Sequence, residues 1–156
     1  MARSPEFVGL DRTDCAIVRL LQENGRESFA DIGKAVGLSA TSVGDRVRRL
    51  EQSGVIAGYH AAVSAPKLGF GLMAFILARP IGSDARFARL AAELPEILEC
   101  HRVTGDVSFV ARAVFSDIKH LERVLDHLEP STSQVTTLMV LSTPLARHVS
   151  VPEDES

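Results

Sequence analysis

Three arginines, Arg46, Arg48 and Arg49, stand within four positions of one another, and three hydroxyls, Ser39, Thr41 and Ser42, precede them by about one to two helical turns. A guanidinium is a rigid fork of donors that pairs with phosphate or with the edge of guanine. Short hydroxyl side chains let a backbone approach a base edge and bond to it. Asp45 lies among these residues. A carboxylate there can accept from the amino group of cytosine, or it can pair with Arg48 or Arg49 and orient it. A second stretch with chemical potential is "RVTGDVSF", Arg102 to Phe109, where a Gly-Asp pair separates two apolar runs. It reads either as a tight hairpin or as a loop whose exposed backbone amides hold a small ligand.

Other chemistries find little support. No nucleophile–base set, metal-ligand cluster or Gly-rich phosphate loop is recognisable. Asp106 is the only acid near a turn that could act catalytically, and a lone Asp there commonly serves turn geometry. Cys15 and Cys100 are far apart, in apolar patterns and without C-x-x-C spacing, so two buried free thiols are expected. His120 and His127 can share a helix face, and Glu99 and His101 a strand face, but neither pair makes a metal set. No metal and no cofactor are expected.

The arginines need a scaffold. "LDRTDCAIVRLLQENG" reads as a helix capped by Asp11, with Asp14 in its first turn, Ile17, Leu20 and Leu21 inward, and Asn24-Gly25 as a stop. "SFADIGKAVG" reads as a short helix with a Ser28–Asp31 cap, an apolar stripe of Ile32, Ala35 and Val36, and a turn at Gly37. "SATSVGDRVRRLEQSG" reads as a third helix capped by Ser39, with Val43, Val47 and Leu50 inward. That pattern leaves Ala40, Thr41, Ser42, Asp45, Arg46, Arg48 and Arg49 on the outer surface. "VIAGYHAAV" then predicts a small β wing around Ala57-Gly58. Two helices joined by a Gly-containing turn, with small polar residues opening the second, form a helix-turn-helix pattern suited to the major groove.

The remaining two thirds read β-α-β-β-α-β, the ferredoxin-like split unit. Strands are expected in "KLGFGLMAFILARP", "EILECHRV", "VSFVARAVF" and "QVTTLMVLSTPL". The helices lie between them, one with Phe87, Leu90, Ala91 and Leu94 inward and one with Ile118, Leu121, Leu125 and Leu128 inward. Both helices should cover one sheet face, yet the strands are apolar on both faces. A second copy of the sheet is the economical cover for the other face, giving a two-fold dimer.

The 156 residues suit one medium or two small domains, and the formal net charge of −3 argues against a generally basic nucleic-acid coat. The charge is uneven, however. Residues 1–60 carry 8 basic and 8 acidic side chains, and residues 61–156 carry 9 and 12. A local basic stripe on the neutral half can still bind phosphate. No apolar run approaches the roughly 20 residues a membrane span needs, and no signal core opens the chain, so a cytoplasmic, nucleoid-associated protein without a membrane partner is expected.

Together, "LD…D…I…LL…NGR", "GLS…RV.RLE..GVI.GY" and "VTGD" resemble the Lrp/AsnC (leucine-responsive, feast/famine) transcriptional regulators, from about Leu10 to Leu145. The resemblance implies an α+β chain with an N-terminal winged helix-turn-helix and a C-terminal ferredoxin-like (RAM) domain. Boundaries fall at 1–9 (arm), 10–58 (winged helix-turn-helix), 59–69 (wing and linker), 70–146 (RAM) and 147–156 (acidic tail). It implies a sequence-specific regulator of double-stranded DNA, a homodimer or octamer, and an amino acid as effector. Ser39 to Arg49 would be the recognition helix, and Thr104, Gly105, Asp106 and Ser108 the effector loop. The family loop usually reads Gly-Asp-x-Asp, whereas here Ser108 replaces the second carboxylate. An ammonium ligand favours carboxylate partners, so this replacement bears on which effector is taken. The competing reading is a free-standing metabolite-binding or enzymatic ferredoxin-like oligomer that does not bind DNA.

Overall fold

The computed structural model describes residues 9–151. The expected arm, apart from Gly9, and residues 152–156 of the expected tail lie outside that range. The described residues divide into two compact units, residues 9–62 with 146–151, and residues 63–145.

The first unit holds α1 (Arg12–Glu23), α2 (Phe29–Val36) and α3 (Ala40–Gln52). Each begins where a short polar side chain satisfies a backbone donor that the helix leaves free. Asp11 accepts from the Asp14 N–H at 2.7 Å, Ser28 from that of Asp31 at 3.1 Å, and Ser39 from that of Ser42 at 3.1 Å. Ile17, Ile32, Val43, Val47 and Leu50 form the core. Ala35, expected inward on α2, is exposed, and Gly33 is buried in its place. A Cβ on Gly33 would sit 2.5 Å from the Leu38 carbonyl oxygen, so only glycine lets α2 lie this close to the turn leading into α3. That turn passes through Gly37 at φ 72°, in the left-handed region.

The wing does not form strands. Residues 53–71 pair with no strand among the described residues. A two-stranded ribbon this short has too little to pack against to be stable alone. Tyr59 instead donates to Glu51 at 3.0 Å, holding the segment near the end of α3. Residues 147–151, expected as part of a separate tail, group with the helices, as does Ala146, expected as the last residue of the RAM domain, and Gln22 donates to the Val149 carbonyl at 2.9 Å.

The second unit runs β1 (Leu72–Pro80), α4 (Asp84–Ala92), β2 (Ile97–Arg102), β3 (Phe109–Phe115), α5 (Ile118–Leu128) and β4 (Thr132–Met139). The sheet order is β2-β3-β1-β4, with every neighbouring pair antiparallel. On one face, Ala74, Ile76 and Ala78 of β1 and Phe109, Ala111, Ala113 and Phe115 of β3 pack with Phe87 and Ala91 of α4 and Leu121, Val124 and Leu128 of α5. Ile118, expected inward, is exposed, and Val124 is buried. Ile118 is the first residue of α5, where the helix has yet to turn onto the sheet. Cys100, expected buried, is exposed. It lies on β2, an edge strand with a neighbour on one side only. Cys15 is buried as expected.

The other sheet face carries Met73, Phe75 and Leu77, aligned across the ladder with Val114, Arg112 and Val110, and Leu138 beside Phe75. Phe75 and Leu138 are exposed. The face is therefore largely apolar but not wholly so. Arg112 lies within it and pairs with Glu99 at 2.6 Å.

Gly33→Ala tests the helical packing. The substitution raises helix propensity by about 1 kcal/mol, but the contact with a backbone carbonyl cannot be relieved by a side-chain rotation. The expected outcome is a lower urea midpoint for the helical unit, followed by circular dichroism. A raised midpoint would show that propensity outweighs the clash. In the sheet unit, Phe115→Ala should cost about 3–5 kcal/mol on the same measurement.

Candidate nucleic-acid interface and effector loop

Burial of Val43, Val47 and Leu50 fixes the rotation of α3. The opposite stripe, at i, i+4, i+7 and i+11, is Thr41, Asp45, Arg48 and Gln52, all exposed. Ser39 serves as the cap, with its hydroxyl 2.9 Å from that of Ser42.

The three arginines have separate situations. Arg46 was expected to face outward, but only 27% of its side chain is exposed. It turns toward α1, and its Nη1 lies 2.6 Å from Asp11 Oδ2 and 2.7 Å from Asp14 Oδ1. Arg49 Nη2 reaches both oxygens of Asp14, at 2.9 and 3.1 Å, while 63% of its side chain stays exposed. The Asp14 side chain is only 4% exposed, so one buried carboxylate holds two guanidinium groups. Arg48 pairs with Asp45 at 2.9 Å on the outer surface, which settles the choice between Arg48 and Arg49 as that carboxylate's partner.

The Arg46 hydrogen bond, followed by the Asp14 backbone N–H, holds the Asp11 carboxyl below its ordinary value of 3.8. Asp11, then Asp14, correspondingly raises the Arg46 guanidinium. From sequence, Asp11 reads only as a cap and Asp14 only as a first-turn acid. A signal for the clamp was available, because two carboxylates three apart, at the cap and in the first turn of α1, match two arginines three apart on α3.

The second candidate site is a single loop between β2 and β3. The Val103 N–H donates to the Ser108 carbonyl at 2.9 Å, closing the hairpin, and Gly105 takes φ 115° at its tip. The Ser108 N–H donates to the Ala78 carbonyl at 3.1 Å, tying the loop to β1. Thr104, Gly105 and Asp106 are exposed, and Ser108 is half-buried. All four expected residues are therefore brought together. Arg79, which the sequence reading passed over, donates from its guanidinium to the Asp106 carbonyl. Two of the five histidines have local carboxylate partners: His101 lies 3.4 Å from Glu99, and His120 lies 2.8 Å from Glu96. No group of three or more metal-ligating side chains is gathered among the described residues.

A three-helix unit with an arginine-bearing outer helix, followed by a split βαββαβ unit with an exposed loop, defines a helix-turn-helix regulator carrying a ligand-binding domain. Comparison with known proteins supports that class. The model of the AsnC-type helix-turn-helix domain matches residues 10–51, and that of the Lrp/AsnC ligand binding domain matches residues 74–149. The uncharacterized HTH-type transcriptional regulator YezC of Bacillus subtilis is 41% identical over 133 residues, 85% of this chain and 94% of that protein. The structure of B. subtilis LrpC is similar with a TM-score of 0.85 at 28% identity, covering 90% of this chain and 100% of that one. A feast or famine regulatory protein from M. tuberculosis, complexed with L-methionine, is similar with a TM-score of 0.86 at 27% identity, over 92% and 100% of the two chains. The chain belongs to the Lrp/AsnC family. It is a DNA-binding transcriptional regulator, and its family consists of regulators rather than enzymes, which sets aside the enzymatic reading.

Two measurements probe the clamp. Asp14→Ala leaves half-buried Arg46 with Asp11 as its remaining carboxylate and removes the partner of Arg49, and should destabilise the helical unit by about 1–3 kcal/mol, read by chemical denaturation. Asp11→Asn keeps a competent cap but removes the charge. Because the folded Asp11 carboxyl is held below 3.8, its contribution is full above that pH and is lost as pH falls through the folded value. The gap in melting temperature between wild type and Asp11→Asn should be open at pH 6 and narrow as pH is taken progressively below 3.8.

Proposed function

We propose that α3 enters the major groove with Thr41, Asp45 and Arg48 toward base edges and Arg49 toward a phosphate. Ser39 and Ser42 shape the N-terminus of the helix, and Arg46 holds the helix to α1 rather than reading bases. The observation that carries this reading is the exposed stripe Thr41–Asp45–Arg48–Gln52, flanked by an Arg49 that is braced yet open to solvent. We assign residues 10–58 to DNA binding, 59–69 to the connection and 70–146 to effector response and assembly.

The chain acts as a dimer, or as an octamer built from dimers, through the apolar row Met73, Phe75, Leu77, Val110 and Leu138. Stable interfaces cover about 800 Å² per partner, a size within reach of one sheet face. Two copies then present α3 to half-sites about 34 Å, or a multiple of that, apart. An amino acid is the effector, held at Thr104, Gly105, Asp106 and Ser108, with Asp106 receiving its ammonium group. The methionine complex of the mycobacterial relative supports an effector of this class. We assign the protein to the cytoplasm, at the nucleoid, a reading supported by its DNA-binding family.

Fluorescence anisotropy against the protein's own upstream DNA, across a salt series, tests the first part. Binding should weaken steeply as salt rises, and Arg48→Ala should weaken it by about 1–3 kcal/mol. No binding even at low salt would overturn the reading. For the effector, calorimetry should detect binding of at least one amino acid, methionine among those tried, and Ser108→Asp should tighten it. If neither protein binds any amino acid, the loop is structural here.

A further inference from the structure

A carboxylate occupies the centre of the surface that α3 turns outward. Asp45 lies one turn after Thr41 and three residues before Arg48, on the stripe directly opposite the buried Val43, Val47 and Leu50. Its oxygen accepts from Arg48 Nη1 at 2.9 Å, and the two side chains are 67% and 65% exposed. An exposed pair contributes little to folding, so stability does not account for a negative charge at this place.

The rest of the helix sharpens the point. Arg46 and Arg49 both engage carboxylates of α1, and Asp45 is the acid that faces Arg48. Arbitrary duplex DNA offers chiefly phosphates, which repel Asp45 and must compete with it for Arg48. A groove carrying a C·G pair offers something else. The cytosine amino group is a donor that a carboxylate can accept, and guanine presents two acceptors to an arginine fork. We infer that Asp45 is a specificity-determining residue, which holds Arg48 back from the phosphates of arbitrary DNA and is satisfied where the groove presents a cytosine amino group beside a guanine for Arg48. This rests on the reading of α3 as the groove helix.

The test begins with duplexes selected by the wild-type protein from a random library. Affinities of wild type, Asp45→Asn and Asp45→Ala are then measured by anisotropy, for a selected duplex and a scrambled one, at several sodium chloride concentrations. The variants should bind the scrambled duplex more tightly, with a salt slope steeper by about one. Their discrimination between the two duplexes should fall at least fivefold. A second selection with Asp45→Ala should lose a cytosine preference that the wild type shows. Melting temperatures should be unchanged, which separates this effect from misfolding. An unchanged discrimination ratio, or equal weakening on both duplexes, would overturn the inference while leaving DNA binding intact. A wild type that selects no sequence would overturn the groove reading, and this inference with it.

Discussion

The helical unit depends on one buried carboxylate. Asp14 lies almost wholly out of solvent and receives guanidinium groups from two residues of another helix. An unpaired charge in that position would be strongly unfavourable, so α1 and α3 are constrained to stay where both arginines can reach it. Asp11 strengthens the constraint by working twice: one oxygen caps α1, and the other accepts from Arg46. The apolar core of Ile17, Ile32, Val43, Val47 and Leu50 supplies non-directional cohesion, and the clamp adds direction. With α3 held this way, its outward stripe can only be Thr41, Asp45, Arg48 and Gln52. The stripe proposed to read DNA is thus oriented by a residue whose own side chain is almost wholly buried.

In the second unit, the alternation of side chains across a sheet plays the corresponding role. The antiparallel order β2-β3-β1-β4 leaves one face for α4 and α5 and the other for something else. Small residues on the helix-facing side, Ala74, Ala78, Ala111 and Ala113, let the helices approach, while Ile76 and Phe115 fill the centre. The same topology places the β2–β3 loop beside the end of β1, where Arg79 and the Ala78 carbonyl can hold it. Pro80 ends the regular pairing there, at a register shift that accommodates its missing N–H.

Much of this was legible from sequence. Each helix cap read as Asp11, Ser28 and Ser39 is a cap, because capping depends on residues within one turn. The βαββαβ order and the hairpin at Gly105-Asp106 followed from period-two runs and turn residues. Four of the readings that failed did so for related reasons. The wing has no strand partner, Cys100 lies on an edge, Ile118 precedes the point at which α5 meets the sheet, and Arg46 finds acids on a different helix. In each case the local pattern was sound, and a distant element, present or missing, decided the outcome.

The sequence by itself determined the three N-terminal helices, the βαββαβ order, the caps at Asp11, Ser28 and Ser39, most of the inward apolar positions and the family, since these are written in short-range spacing and residue type. Only the tertiary structure decided what each arginine does. Arg46, Arg48 and Arg49 are chemically identical and nearly adjacent, yet one is clamped inward, one is paired on the surface and one is braced with its side chain still open. Their difference comes from helical rotation and from carboxylates 32 to 35 residues away in the chain. A guanidinium takes whichever carboxylate the packed helices bring within about 3 Å, and that distance exists only once the helices have packed.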